Sequence, residues 1–440
     1  MHRKRNVGRR AILRTGALSF YSLHLADFLR ARQACGAEAT DKKAKAKSVI
    51  MLWLNGGPSH IDMWDPKPNS SFAPISTRVP GIQVSELLPH SSKHLDKISI
   101  IRSMRTEENN HGVGHHNVLT GHRPNPSMAF PSLSTMVTKE LGPQGSIPPN
   151  VMVPRMHASY MDYYRAHFLG PQYDPFQVPD PSAADFEIPN LSIPESVTVE
   201  RLLGRRSMLD LVDRQYRAKV KSAEHRKMDT FSTQALNMIM SKEVREAFDL
   251  SKESEKTKDA YGRDRLGQGT LLARRLVEAG SRFVPVVDLH RPGTGRDWDT
   301  PGANDSQHRD HLVPWVDRTL SALLSDLSDR SLLDSTLVLV TGEFGRTYDH
   351  NSGAGRDHWC HCWSFVLAGG GIQGGRVVGA SDERGAYVAD RLVTIGDCHA
   401  TIYKALGIDW TKEYMHPVGR PLKIAISIND EAGKPLDELF

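Results

Sequence analysis

The residues best suited to chemistry fall in four short stretches. The richest is His111-Gly-Val-Gly-His115-His116-Asn117-Val-Leu-Thr120-Gly121-His122-Arg123-Pro124, four histidines within a few turns of chain. Neutral imidazole is the commonest transition-metal ligand, so this stretch supplies several nitrogen donors at one place. A helix starting there would also turn free backbone N–H groups toward an anion. The second stretch, Gly342-Glu343-Phe344-Gly345-Arg346-Thr347, follows an apolar run. Glu343 is suited to a divalent cation, and the planar fork of Arg346 to the paired oxygens of a phosphate or sulfate. The third, Gly355-Arg356-Asp357-His358-Trp359-Cys360-His361-Cys362, offers Asp357 and His358 as a ligand pair, or His358 as the ligand with Asp357 orienting a neighbour. Cys360 and Cys362 look like half of a zinc site, but no second cysteine pair completes it, and they read as packing thiols. The fourth, Asp297-Trp298-Asp299-Thr300-Pro301 with His308 and His311 downstream, adds acidic ligands. Taken singly, each residue has an ordinary structural role, such as a cap, a packed ring or a strand-end salt bridge.

The elements that must position them can be read from apolar runs. Ser48–Leu54, Ile98–Ile101, Arg282–Asp288, Thr336–Thr341 and Trp363–Ala368 are short, apolar and bounded by turn residues, which predicts buried strands. Helical periodicity appears over Leu271–Ala279, Leu312–Leu327 and Asp397–Leu406, the last closed by Gly407. Strands alternating with helices predict an α/β fold with a mostly parallel sheet covered on both faces. In such a sheet ligands gather beyond the carboxyl ends of the strands, and all four stretches lie at strand ends. Residues 142–194, rich in proline and aromatics, read as a long ordered loop near the site, suggestive of sugar stacking. Residues 200–261 read as a charged helical insertion.

Composition narrows the class. With 440 residues, 39% hydrophobic and 24% charged, the chain is neither disordered nor a polytopic membrane protein. Four cysteines are too few for a disulfide framework. The net charge of +5 resides in the first 39 residues, where eight Lys and Arg face Asp27 and Glu38, so the body is near neutral and no nucleic-acid partner is expected. That leader combines Arg9-Arg10 with a moderately apolar stretch and a final Ala37-Glu38-Ala39, which resembles a twin-arginine export signal. The expected organisation is a signal over 1–39, a linker over 40–47, the main domain over 48–425 and a tail over 426–440. A periplasmic or secreted protein with no transmembrane segment follows.

Together these motifs resemble the alkaline phosphatase and sulfatase superfamily, and in particular its exported, sulfatase-like branch of unknown function. Thr336 to Thr347 looks like that superfamily's strand and metal-binding turn, Asn117 to Pro124 resembles the Leu-Thr-Gly-Arg segment after the sulfatase nucleophile, and Val393 to Ile408 resembles its late helix. Gly355 to Trp359, with the glycine run 369–375, is typical of the uncharacterised branch. The departures are equally specific. The nucleophile position falls on His111 and the following arginine on His115, so conversion of a cysteine to formylglycine is ruled out. Asn55-Gly56-Gly57-Pro58-Ser59 replaces the first carboxylate pair, leaving Asp62 and Asp65 as substitutes, Phe344 stands at a usual ligand position, and Pro301 replaces an expected histidine.

The resemblance implies a metal-dependent hydrolase of a phosphate or sulfate ester, small or glycan-borne. Glu343, His358, Asp299, Asp357 and His116 are the expected ligands of zinc, calcium or manganese. His111, His115 and Arg346 are the expected catalytic residues, with water or, second, His111 as nucleophile. Asn117, His122 and Arg356 are expected to hold the substrate. The rival reading is a non-catalytic binding protein for sulfated or phosphorylated glycans on the same fold, and a metal-dependent isomerase or mutase is a third.

Overall fold

The computed structural model describes residues 45–188, 238, 240–289, 297–427 and 430–440. At its centre is a six-stranded sheet. Its strands are β1 (Ser48–Leu54), β2 (Ile98–Met104), β3 (Phe283–Asp288), β4 (Thr336–Thr341), β7 (Trp363–Gly369) and β8 (Arg376–Val378). Between β4 and β7 lies a small hairpin, β5 (Gly345–Arg346) and β6 (His358–Trp359). The spatial order is β8-β2-β7-β4-β1-β3.

The sheet departs from the expected mostly parallel arrangement. β3, β1 and β4 pair in parallel, as do β8 and β2, but β7 runs antiparallel to both β4 and β2. The cause is the connection. A parallel neighbour needs a crossover, usually a helix. After β4 the chain instead makes a tight turn and the β5–β6 hairpin, then re-enters directly as β7. The fold is therefore α/β with a mixed sheet.

Every residue of β1, β3, β4 and β7 is buried, which is why their sequences are continuous apolar runs. Side chains alternate between two cores. Ile50, Leu52 and Leu54 face one that includes Leu271 and Leu276 of α3 (Arg265–Glu278) and Leu320, Leu323 and Leu324 of α4 (Val313–Asp329). Val49, Met51 and Trp53 face the other, with Val118 and Leu119 of α1 (His111–Thr120), Met136 and Val137 of α2 (Leu133–Leu141) and Ile402 of α5 (Ile395–Ala405). Leu436 and Leu439, near the carboxyl end, also enter this second core.

Local signals set the helix ends. The Asn110 side chain accepts from Gly112 and Val113 N–H to start α1, and Gly121 stops it at a φ of 78°. Thr394 and Asp397 form a reciprocal capping box on α5. Residues 142–188 carry only short strands and single helical turns, in keeping with the expected long loop. Of the expected helical insertion, the described part contains Lys242–Phe248 and Glu255–Tyr261, and the rest lies outside the described residues, as do the leader and most of the linker. Among the described residues no helix is long and apolar enough to cross a membrane.

Candidate functional site

The carboxyl ends of β1, β2, β3 and β4 point to one edge of the sheet, and β7 starts at that edge because it runs the other way. Four chain segments meet there. β2 leads through 105–110 into α1, whose first residue is His111. β4 turns at Gly342 into Glu343, β6 delivers His358, and the segment following β3 delivers Asp299. Trp298 anchors this last segment, fully buried with its indole N–H donating to Asp288 Oδ2 at 2.8 Å.

Close approach of two loops requires Gly56. Its φ is 117°, and a Cβ there would lie 2.2 Å from Asp299 N and 2.6 Å from Trp298 C. The loop after β1 thus lies directly against the backbone that carries Asp299.

Three side chains converge. His111 Nε2 is 3.3 Å from Asp299 Oδ2, and His358 Nε2 is 3.2 Å from Asp299 Oδ1. The two imidazoles meet edge to face with centroids 4.3 Å apart, and Phe344 packs on both. His111, His358 and Asp299 are 29%, 28% and 37% exposed, so the cluster is open to solvent. One potential ligand atom from each lies within 4.8 Å of the others.

Behind the cluster the groups are sealed. Glu343 is fully buried, accepts from Gly56 N–H at 3.0 and 3.2 Å on its two oxygens, and lies 2.7 Å from His111 Nδ1 through Oε1. Burial opposes its ionisation, but the charges of His115 and His111 and the His111 bond hold it below the usual range. His115 is buried with Nδ1–H donating to the His111 carbonyl at 2.7 Å and Nε2 lying 2.7 Å from Asn55 Oδ1. Asn55 in turn donates to Asp297 Oδ2 at 2.5 Å. Burial, with Glu343 nearby, pushes Asp297 up.

Arg346 is fully buried. Its guanidinium donates to the carbonyls of Gly57 (2.8 Å), Arg356 (3.0 Å), Trp298 (3.2 Å) and Gly56, and to Asp299 Oδ1 (2.7 Å). Against the cost of burial, the bonds from His111, His358 and Arg346 hold Asp299 well below the usual carboxylate range. Burial likewise opposes charge on His111, yet the Asp299 and Glu343 bonds push it up to about 9.

The sequence candidates thus divide. His111, His358 and Asp299 come together, with Glu343, His115 and Arg346 packed behind them. The others lie elsewhere. His116 turns its Nδ1 to the His122 carbonyl at 2.9 Å and packs its ring on Phe130. Asp357 is exposed and accepts from Asn351. Arg356 is fully buried in an ion pair with Asp62, 2.9 Å from Nε to Oδ2. Asn117 and His122 line a separate cavity of about 320 Å³ with Arg105, Thr106 and Thr394. Asp65 pairs with Lys67 and Arg102. Sequence reasoning read Asn55–Ser59 as a lost ligand pair, whereas Asn55 and Gly56 hold His115 and Glu343. Tyr160 and Tyr163, from the aromatic-rich loop expected near the site, have rings 5.6 and 5.7 Å from that of His115.

A cation fits this cluster on its own geometry. His111 Nε2 is buried and faces the Asp299 carboxylate at 3.3 Å. Two imidazole nitrogens and a carboxylate oxygen are a donor set suited to a transition metal, and three protein ligands leave room for a substrate.

An α/β fold with ligand-type side chains gathered at the carboxyl edge of its sheet defines the class. A family model described as a protein of unknown function, DUF1501, matches residues 46–440, and the chain belongs to that family. Comparison with curated proteins finds no match. Among solved structures it is similar to a protein of the alkaline phosphatase superfamily from Vibrio parahaemolyticus, with 13% identity over 83% of this chain and 67% of that one and a TM-score of 0.40. It is also similar to the PsFucS1 sulfatase from Pseudoalteromonas sp. (12%, 85% and 72%, TM-score 0.37) and to the phosphonate monoester hydrolase SpPMH from Silicibacter pomeroyi (11%, 83% and 74%, TM-score 0.37). The first of these carries by name the superfamily that the sequence motifs resemble. At such distance they carry neither a substrate nor an activity to this chain.

Proposed function

We propose that the protein is an exported, metal-dependent hydrolase of a phosphate or sulfate ester, and that His111, Asp299 and His358 hold the metal. The observation that carries this reading is the convergence of those three donors, with His111 Nε2 buried and facing Asp299, at the sheet edge where α/β folds bind ligands. Zinc or manganese suits two imidazoles and one carboxylate better than calcium, which takes six or more oxygens. When bound, the cation supplies neutralisation of the ester's charge and of the oxygen that departs with the alcohol.

The chain's own residues do the rest. Arg346 and the Gly56 contact hold Asp299 in place, and Phe344 packs the two imidazoles against each other. Tyr160 and Tyr163 lie beside His115 on the α1 side. Water is the nucleophile this arrangement favours, because the Nδ1 of His111 is taken by Glu343 and its Nε2 belongs to the cluster. Export through the twin-arginine-type leader fits a protein that folds around its metal first, and is part of the same proposal.

The second reading is a non-catalytic binder of sulfated or phosphorylated glycans that uses the cluster alone. Arg346 is engaged by carbonyls and Asp299, and Arg356 by Asp62, so neither is placed to stabilise the charge that develops during ester cleavage. Elemental analysis of the purified protein, followed by a screen of 4-nitrophenyl phosphate and sulfate with the zinc- and manganese-loaded forms, separates the two. Turnover lost in Asp299→Asn supports the hydrolase, metal binding without turnover of either ester supports the binder, and absence of metal from a folded protein sinks both uses of the cluster.

A further inference from the structure

Glu343 stands where the strand-end carboxylate of this fold is expected to ligate, yet its contacts give it another task. Both of its oxygens accept from Gly56 N–H, it has no exposed surface, and the His111 ring stands between it and the gap shared with Asp299 and His358. A ring has two nitrogens, and a carboxylate acceptor at one decides what the other offers. With Oε1 2.7 Å from Nδ1, the proton on Nδ1 is held there, and Nε2, 3.3 Å from Asp299 Oδ2, is the nitrogen whose proton a cation would displace.

His358 repeats the pattern independently. Its Nδ1 is 2.6 Å from the Asn109 carbonyl, which accepts only from N–H, and its Nε2 faces the other oxygen of Asp299 at 3.2 Å. Two imidazoles from different segments are thus anchored through Nδ1 and converge through Nε2 on one carboxylate. The helix packing serves the same end. A Cβ at Gly114 would sit 3.2 Å from Glu343 Cβ and 3.1 Å from Phe344, so a glycine there lets the first turn of α1 lie directly on the turn after β4.

We infer that Glu343 is a positioning residue that acts through His111: it selects the Nδ1–H tautomer and fixes the ring so that Nε2 is the metal-binding atom. The inference rests on reading the His111–Asp299–His358 cluster as a metal site. It distinguishes Glu343 from a ligand, because a ligand would bind the cation itself and leave the tautomer of His111 unspecified.

The test is zinc titration by calorimetry of the wild type, Glu343→Gln and Glu343→Ala, with ¹⁵N spectra of histidine-labelled protein. Glutamine keeps an oxygen that accepts from Nδ1–H, so Glu343→Gln retains most of the zinc affinity. Glu343→Ala loses the acceptor and weakens zinc about 10–100-fold, the range for such outer partners. The zinc-loaded wild type shows His111 protonated at Nδ1 and bound through Nε2, a readout that stands even if the alanine variant does not fold. Equal zinc affinity in all three proteins, a loss in Glu343→Gln as large as in Glu343→Ala, or coordination of His111 through Nδ1 each overturns the inference while leaving the metal site standing. A wild type that binds no zinc overturns the metal site itself.

Discussion

Arg346 reaches Asp299 with Nη2 2.7 Å from Oδ1, and the rest of its guanidinium is spent on backbone carbonyls from the loops after β1 and β3 and from the residue before Asp357. One side chain therefore ties three loops together and orients a candidate ligand. A lysine cannot span these partners, since its three donors form no planar fork. Arg346→Lys is expected to leave at least one carbonyl unpaired, costing about 1–3 kcal/mol for each buried group so orphaned. Denaturant unfolding of the metal-free protein measures this, and a midpoint unchanged from wild type contradicts the clamp.

The contrast between Arg346 and His111 shows what the sequence could disclose. Buried strands reveal themselves as apolar runs, so β1, β3, β4 and β7 were legible, and with them the edge at which His111, Asp299 and His358 gather. The direction of β7 was not, because a buried run reads alike in either direction and only the missing crossover reverses it. Nor was the fate of Arg346 and Arg356. Their partners Gly56, Gly57 and Asp62 lie nearly three hundred residues earlier in the chain. Within α1 the helical period held more than was taken from it. His111 and His115 are four residues apart and share a face, while His116 is turned about 100° away toward Phe130.

Gly56 is the point at which the two central loops touch. A methyl group there meets Asp299 N at 2.2 Å, and the φ of 117° disfavours any L side chain. Gly56→Ala is expected to displace Asp299 and to destabilise the fold by about 1–3 kcal/mol from backbone strain alone. Thermal unfolding together with zinc titration checks both parts. A variant with wild-type stability and zinc affinity shows that the loops can separate without consequence.

Acid lability follows from His399. It is fully buried in α5, its Nε2 bonded to the Val118 carbonyl at 3.0 Å, and burial pushes it down to about 4 despite that bond. Its ordinary value is near 6.5. Between these values the unfolded chain binds a proton that the folded protein refuses. Stability is therefore complete above about pH 6.5 and falls as the pH drops toward 4, by about 3 kcal/mol from this group. Replacing it with methionine removes the titrating group. Urea unfolding of wild type and His399→Met from pH 7 to pH 4 is expected to show the steeper decline in the wild type, and parallel curves count against this assignment.

The metal cluster makes a prediction that needs no substrate. A ligand that binds only the folded protein stabilises it by about 2.7 kcal/mol at a free concentration one hundred times its Kd. Zinc added after chelation is expected to raise the unfolding midpoint of the wild type and to leave Asp299→Asn unmoved, because the amide offers no charge to the cation between His111 and His358. The sequence placed His116 and Asp357 among the ligands, while the structure turns the first toward Phe130 and leaves the second exposed beside Asn351. His116→Ala and Asp357→Ala should accordingly respond to zinc as the wild type does. If either loses the response while Asp299→Asn keeps it, the cation is held by a different set of residues from the three that converge at the sheet edge.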